Sequence, residues 1–156
     1  MNCRERITLF PFTVLCCLLC CIQPLAGQEI TFSEIMYDVK GPDYHDEFIE
    51  VFNLSESEEI SLEGWTLMVD EAEDLIICPA GTGILKPRRF ALILDASYTE
   101  NSQLYDRLIP DSVLVLTTSD KAFGKSGLPN GEAALLKLMD TRGNVRDTCY
   151  YSTGNP

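Results

Sequence analysis

Carboxylates are the most abundant groups in this chain that could do chemistry, and many of them lie in two short stretches. Calcium takes about six to eight oxygen ligands in flexible geometry, so the two stretches predict a calcium site if they converge at one end of the fold. Neither has the spacing of an EF-hand loop, so a solvated acidic surface is the alternative. The candidate ligands are Asp38, Asp43, Asp46 and Glu47, followed by Asp70, Glu71, Glu73 and Asp74.

Other residue types capable of chemistry are sparse. His45 is the single histidine, which excludes a site built from several histidines, and it lacks a nearby nucleophile elbow, so we expect an exposed loop histidine. Gly124-Lys125-Ser126 resembles the end of a phosphate-binding loop, but Ser119 stands where that loop needs its first glycine. Asn53-Leu54-Ser55 is a formal glycosylation sequon at a predicted turn. We expect neither a catalytic residue nor a cofactor other than calcium.

The first 27 residues have the layout of a secretory signal peptide. Arg4 and Arg6 precede an apolar run from residue 7 to 22, and Pro24-Leu25-Ala26-Gly27 supplies a break and small residues. We predict cleavage after Gly27, secretion or cell-surface display, and no membrane span in the mature chain. An uncleaved anchor is the alternative.

Two of the seven cysteines, Cys78 and Cys149, lie after the predicted cleavage point. In an oxidising compartment they could form a disulfide, worth on the order of 4 kcal/mol for so long a loop. The alternative is two separate half-buried thiols. Either way we expect no single reactive thiol at the surface.

The charge of the mature chain argues against nucleic-acid binding. The full sequence has 12 Lys and Arg against 24 Asp and Glu, and only Arg4, Glu5 and Arg6 fall before the predicted cleavage point. The remaining 129 residues, 28–156, therefore carry a net charge near −13, which repels a phosphate backbone, and their number suits one domain. The clustered positive charges are Lys86, Arg88 and Arg89, beside Pro87.

Short alternating segments separated by turn residues predict an all-β fold, an antiparallel β-sandwich. In residues 47–52, Phe48, Glu50 and Phe52 alternate with Ile49 and Val51. We expect Trp65 between the sheets, with Phe48, Phe52 and Phe90 in the facing layer, and a surface excursion over residues 96–111. The predicted strands are Ile30–Met36, Glu47–Phe52, Ile60–Leu62, Trp65–Val69, Leu75–Cys78, Phe90–Leu94, Val113–Thr117, Ala133–Met139 and Val145–Tyr151.

Several motifs in order resemble the lamin-tail domain, in the version found on secreted bacterial proteins. They are SEIMYD from Ser33, DEFIEVFN from Asp46, the LEGWTL strand with Trp65, CPAGTGILKP from Cys78 with the following FALIL, and GLPNGEAALLKLMDTRGNVRDTCYY from Gly127. The resemblance covers nearly the whole mature chain, residues 28–156. It implies an immunoglobulin-like β-sandwich that usually serves as a non-catalytic accessory module on extracellular nucleases, other hydrolases or cell-surface proteins.

One departure from the family concerns the end of the chain. Family sequences normally continue past the final DTCYY-like strand, whereas here five residues follow it, 152–156. We therefore expect an N-terminal fragment of a longer protein. Two hypotheses for the function follow. The first is a non-catalytic extracellular module with a structural role or one that binds a protein or glycan. The alternative is the N-terminal accessory domain of a longer secreted hydrolase or nuclease.

Overall fold

The structure is a computed structural model that describes residues 28–39 and 45–152. The predicted signal peptide and Asp43 lie outside these residues. Among the described residues, no helix is long and apolar enough to cross a membrane. The elements are β1 (Ile30–Met36), β2 (Phe48–Asn53), β3 (Ile60–Ser61), β4 (Thr66–Val69), β5 (Ala72–Ile77), β6 (Ile84–Leu85), β7 (Phe90–Leu94), α1 (Tyr98–Asn101), β8 (Leu114–Thr118), β9 (Ala134–Met139) and β10 (Val145–Tyr151).

The strands form two layers that share one strand. Their order is β1-β2-β7-β8-β5-β4-β9-β10, and β3 pairs separately with β6. The first half of β5 pairs with β4, whereas Ile76 and Ile77 pair with Thr118 and Thr117 of β8. Since β5 passes from one layer to the other, the sheet is continuous around the core.

The predicted antiparallel β-sandwich is confirmed, and the nine predicted strands all occur, several with shifted ends. Two features differ from the prediction. The two-residue strand β6 is too short to leave a periodic pattern. In addition, β7 and β8 run parallel, with Ala91 opposite Leu114 and Leu94 opposite Thr117. A parallel pair needs a long crossover, which the chain supplies with the segment between these strands.

The core lies between the two layers and contains Trp65, as expected. The prediction for the phenylalanines is wrong. Ile49 and Val51 of β2 face the core, so Phe48 and Phe52 face outward, and Phe90 is 40% exposed. Among residues 28–39 and 45–152, the aromatic side chain that is fully buried is Phe123, in the connection between β8 and β9.

The outer face of the β2-β7 layer is covered by residues 96–113, which we call the covering segment. Tyr98 of this segment is buried with Leu92 and Leu94 in a second apolar cluster. Tyr105 packs edge-on against Phe48 with ring centroids 5.3 Å apart. The outward position of Phe48 is therefore favourable because the chain supplies a cover of its own.

The edge strands β1 and β10 lie side by side and run in the same direction. No backbone ladder joins them in the described residues. Each has an irregular register, β1 between Phe32 and Glu34 and β10 between Val145 and Asp147. Side chains join them instead: Asp147 accepts a hydrogen bond from the backbone N–H of Phe32 at 2.8 Å, Arg146 pairs with Glu29 at 2.7 Å, and the Tyr37 and Tyr151 rings stack 4.9 Å apart.

Candidate binding groove

Three of the predicted calcium ligands instead accept hydrogen bonds from the backbone. Two of them bind the connection between β8 and β9, residues 119–133, and the third binds β9. Buried Glu47 accepts a hydrogen bond from the backbone N–H of Leu128 at 2.8 Å, and buried Asp74 accepts one from Gly124 at 2.7 Å. Asp70 accepts one from the N–H of Leu135 at 2.9 Å. These carboxylates therefore satisfy backbone donors.

Gly127 shows how closely Glu47 approaches the connection. A Cβ atom at Gly127 would lie 3.0 Å from both carboxylate oxygens of Glu47, and the residue has a φ of 104°. Only glycine fits this position without displacing the carboxylate.

The remaining candidates do not complete a metal site. Asp38, Glu71 and Glu73 are exposed, and Asp46 accepts a hydrogen bond at its backbone oxygen from the Tyr105 hydroxyl at 2.7 Å. No group of three or more potential ligands forms among the described residues. Gly127 approaches the Glu47 carboxylate and also lines a pocket with Asp70 and Glu71, so both acidic loops do approach one end of the fold. The calcium site stays a prediction without a ligand set in the structure.

His45 is half-buried and hydrogen-bonded, contrary to the prediction of an exposed loop histidine. Its Nδ1 atom lies 2.7 Å from Ser97 Oγ, which donates to Asp95 Oδ1 at 2.5 Å. In a catalytic triad the histidine accepts the serine proton and the carboxylate orients the histidine. Here the carboxylate accepts from the serine, and Ser97 is buried, so this group is structural.

Asp95→Asn is expected to change how stability depends on pH. Burial raises the pKa of Asp95 above 3.8, opposed by hydrogen bonds from Ser97 and Tyr98 and by the charge of His45. An acid with a raised pKa in the folded state destabilises the fold as pH rises past its unfolded value. The carboxamide oxygen of the variant can accept the same hydrogen bonds without ionising. In urea unfolding, the free energy of unfolding of the variant relative to wild type should therefore rise as the pH is raised from 4 to 7.

The matched control for Asp95→Asn is Asp111→Asn, the same change at an exposed position. A difference from wild type that stays constant across this pH range in Asp95→Asn would contradict the prediction.

The Gly124-Lys125-Ser126 sequence does not form a phosphate-binding loop, because the N–H of Gly124 is engaged by Asp74. Cys78 and Cys149 are free thiols in the structure, both half-buried. Cys78 Sγ donates to the carbonyl of Ala80 at 3.0 Å, and burial raises the pKa of Cys149. The bridged state stays a prediction.

The best candidate for a ligand site is a groove of about 340 Å³ between residues 84–90 and 111–114, called the basic groove below. It exists because β7 and β8 are parallel. The segments that enter these two strands therefore arrive at the same end of the sheet. Leu85, Val113 and Leu114 supply apolar lining, with Ile84 and Phe90 more exposed.

Two cations, Lys86 and Arg89, line the basic groove against one carboxylate, Asp111. Neither cation forms an ion pair among the described residues, whereas Arg146 pairs with Glu29 and Lys121 lies 3.8 Å from Glu100. The groove thus holds positive charge that can meet a ligand. The sequence indicated the cations but could not place Asp111 beside them.

Arg88 lies in the chain between the two groove cations, Lys86 and Arg89, and has an unusual backbone conformation. Its backbone φ is 55°, a left-handed conformation that non-glycine residues rarely adopt. The guanidinium carbon lies 4.9 Å from the centre of the Phe52 ring, and Nε lies 3.8 Å from a Glu56 carboxylate oxygen. Such strain persists where the surroundings fix the chain.

Asn53 fixes the position of residues 85–89 by hydrogen bonds. This fully buried residue donates its amide protons towards the carbonyls of Leu85 and Lys86, each at 3.2 Å, and its backbone N–H donates to Arg89 at 3.0 Å. The sequon asparagine is therefore a structural donor with its side-chain nitrogen inside the fold, which explains its type without a glycan.

Comparison with known proteins gives one family. A family model described as Lamin Tail Domain matches residues 23–153. No curated protein matches the chain.

Proposed function

Since the chain belongs to the lamin tail domain family, whose members are non-catalytic immunoglobulin-like modules, we propose that it is an extracellular binding module rather than an enzyme. Its partner is a protein or glycan that presents an anionic group to the basic groove. The observation that carries this proposal is the presence of two cations over an apolar floor, Lys86 and Arg89, neither of them in an ion pair within the described residues.

The size and lining of the basic groove suit such a ligand. Ligand sites commonly have volumes of about 300–1,000 Å³ and mostly apolar walls with a few placed polar groups. The net charge of the chain is −12, which would repel an acidic partner at long range. Physiological salt screens charges beyond about 8 Å, so contact with Lys86 and Arg89 decides binding inside the groove. Carboxylates and sulfates are the anions that extracellular proteins and glycans carry.

The proposed location rests on the pattern of residues 1–27, with its basic start, apolar run and small residues before Gln28. An acidic surface also keeps a secreted module soluble.

Binding should depend on the two groove cations. We expect a sulfated oligosaccharide or a glutamate-rich peptide, titrated by calorimetry, to bind wild type and to bind Lys86→Glu/Arg89→Glu about tenfold more weakly or worse, because each lost contact is charge-assisted. Testing both probes distinguishes a glycan partner from a protein partner.

Lys125→Glu/Arg142→Glu is the matched control, since it makes the same charge change at two exposed cations outside the groove. Equal weakening by both double variants would indicate general charge attraction and overturn the groove as the site. If neither the oligosaccharide nor the peptide binds wild type, the groove is likewise overturned as the site.

A further inference from the structure

The outer face of the layer formed by β5, β4, β9 and β10 is unusually apolar. Leu67 and Val69 of β4 and Leu136 and Leu138 of β9 point into the core. Because side chains alternate along a strand, the residues between them face solvent. We call this surface the outer sheet face; its members are Thr66, Met68, Glu73, Leu75, Leu135, Lys137, Met139, Val145, Thr148 and Tyr150.

Strand register arranges these residues in rows across the sheet. One row runs Leu75, Thr66, Met139 and Val145, in which Leu75 is 46% and Val145 53% exposed. Tyr150, 69% exposed, lies opposite Leu135 further along. Antiparallel sheets that face water normally carry polar side chains on that side.

The other layer provides the contrast. Its outward Phe48 and Leu92 are packed under the covering segment by Tyr105 and neighbouring residues. No described segment covers the outer sheet face in the same way. On that side Phe48 and Leu92 are therefore covered by the chain itself, although Phe90, Leu104 and Leu108 remain exposed.

A second row carries charges that define the partner. Glu73 on β5 and Lys137 on β9 lie opposite Met68 on β4, from its two sides. Neither has an ion-pair partner among the described residues. A two-fold axis that runs parallel to β4 and directly above Met68, between two stacked copies, reverses the order of the strands and leaves each row facing the same row of the other copy. It therefore places Lys137 of each copy opposite Glu73 of the other, and Met68 opposite Met68.

An axis running across the strands would instead place Glu73 opposite Glu73 and Lys137 opposite Lys137. The charges thus suit one two-fold arrangement and oppose the other. We propose that the outer sheet face is the interface of a homodimer, with this axis parallel to β4. Self-complementarity about a two-fold axis is what a symmetric dimer requires.

The size of the outer sheet face sets the strength of the dimer. Four strands about 4.8 Å apart and three rows about 7 Å apart give a face on the order of 400 Å² per copy. Stable complexes bury about 800 Å² per partner, so this is a weak dimer, with a dissociation constant of roughly micromolar to a few hundred micromolar.

A charge exchange tests the pairing of Glu73 with Lys137. In sedimentation equilibrium on the secreted chain, wild type should dimerise with increasing concentration. Glu73→Lys and Lys137→Glu should each associate about tenfold more weakly, because like charges then face each other. An equimolar mixture of the two variants should associate again, since every facing pair is then opposite in sign. The double variant Glu73→Lys/Lys137→Glu should dimerise like wild type.

A variant that merely misfolded could not be rescued by mixing, so recovery in the mixture distinguishes pairing from structural damage. A wild-type chain that stays monomeric up to millimolar concentration would overturn the proposal and leave the face to another partner. Failure of the mixed variants to associate would also overturn it.

Discussion

Asn53→Asp should unfold or severely destabilise the domain at neutral pH, although the two side chains have nearly the same shape. Asn53 is 0% exposed, and its amide nitrogen lies 2.8 Å from the Glu58 carbonyl oxygen and 3.2 Å from those of Leu85 and Lys86. One oxygen of an ionised carboxylate could keep the backbone N–H of Ser55 as a donor, but the other would face these three carbonyl oxygens away from water. We expect a loss of about 3–5 kcal/mol in the free energy of unfolding.

The loss in Asn53→Asp should shrink in acid. A protonated carboxyl group is neutral and regains one donor, so urea unfolding at pH 7 and at pH 4.5 should show part of the stability returning. Asn101→Asp makes the same change at an exposed position in α1 and should cost less than about 1 kcal/mol. Equal unfolding midpoints for the two variants would contradict the prediction.

Phe123→Ala should be the most damaging truncation of an aromatic side chain, at about 3–5 kcal/mol. Phe123 is fully buried, and its carbonyl accepts a hydrogen bond from Gly127 at 2.8 Å. Its loss leaves a cavity beneath the connection between β8 and β9. Phe90→Ala removes the same atoms from the surface, where the ring meets Phe52 with centroids 4.6 Å apart, and should cost about 1 kcal/mol.

Guanidinium unfolding of Phe123→Ala and Phe90→Ala measures this contrast. If Phe123→Ala does not fold, Phe123→Leu can be measured instead, because leucine preserves most of the side-chain volume. Its free energy of unfolding should be close to that of Phe90→Ala. Comparable losses for Phe90→Ala and Phe123→Ala would restore the sequence-based placement of Phe90 in the core.

These phenylalanines show what the sequence could and could not predict. Alternation correctly grouped Phe48 with Phe52 and Ile49 with Val51. The apolar character of the phenylalanines favoured the wrong face, although Glu50 shares that face and indicates that it points away from the core. The cover for Phe48 is the covering segment, which lacks periodicity. Phe123 lies in an irregular connection, where no repeat indicates burial.

The basic groove was predictable only in part. Lys86, Arg88 and Arg89 are adjacent in the sequence, so their cluster was visible. Their meeting with Asp111 and Val113 depends on the parallel pairing of β7 and β8, which a pattern of short strands does not distinguish from antiparallel pairing. The acidic loops were likewise visible, but the backbone donors that Glu47 and Asp74 satisfy lie far along the chain.

The side-by-side strands β1 and β10 have a mechanical consequence. Since they run in the same direction, Gln28 enters at one end of the pair and Ser152 leaves at the other. Tension applied through these two residues would act along the strands, so β1 and β10 would slide lengthwise against their antiparallel neighbours. Many backbone hydrogen bonds must then break together rather than one after another, which raises the barrier that governs forced unfolding. A module with this geometry resists stretching along a chain.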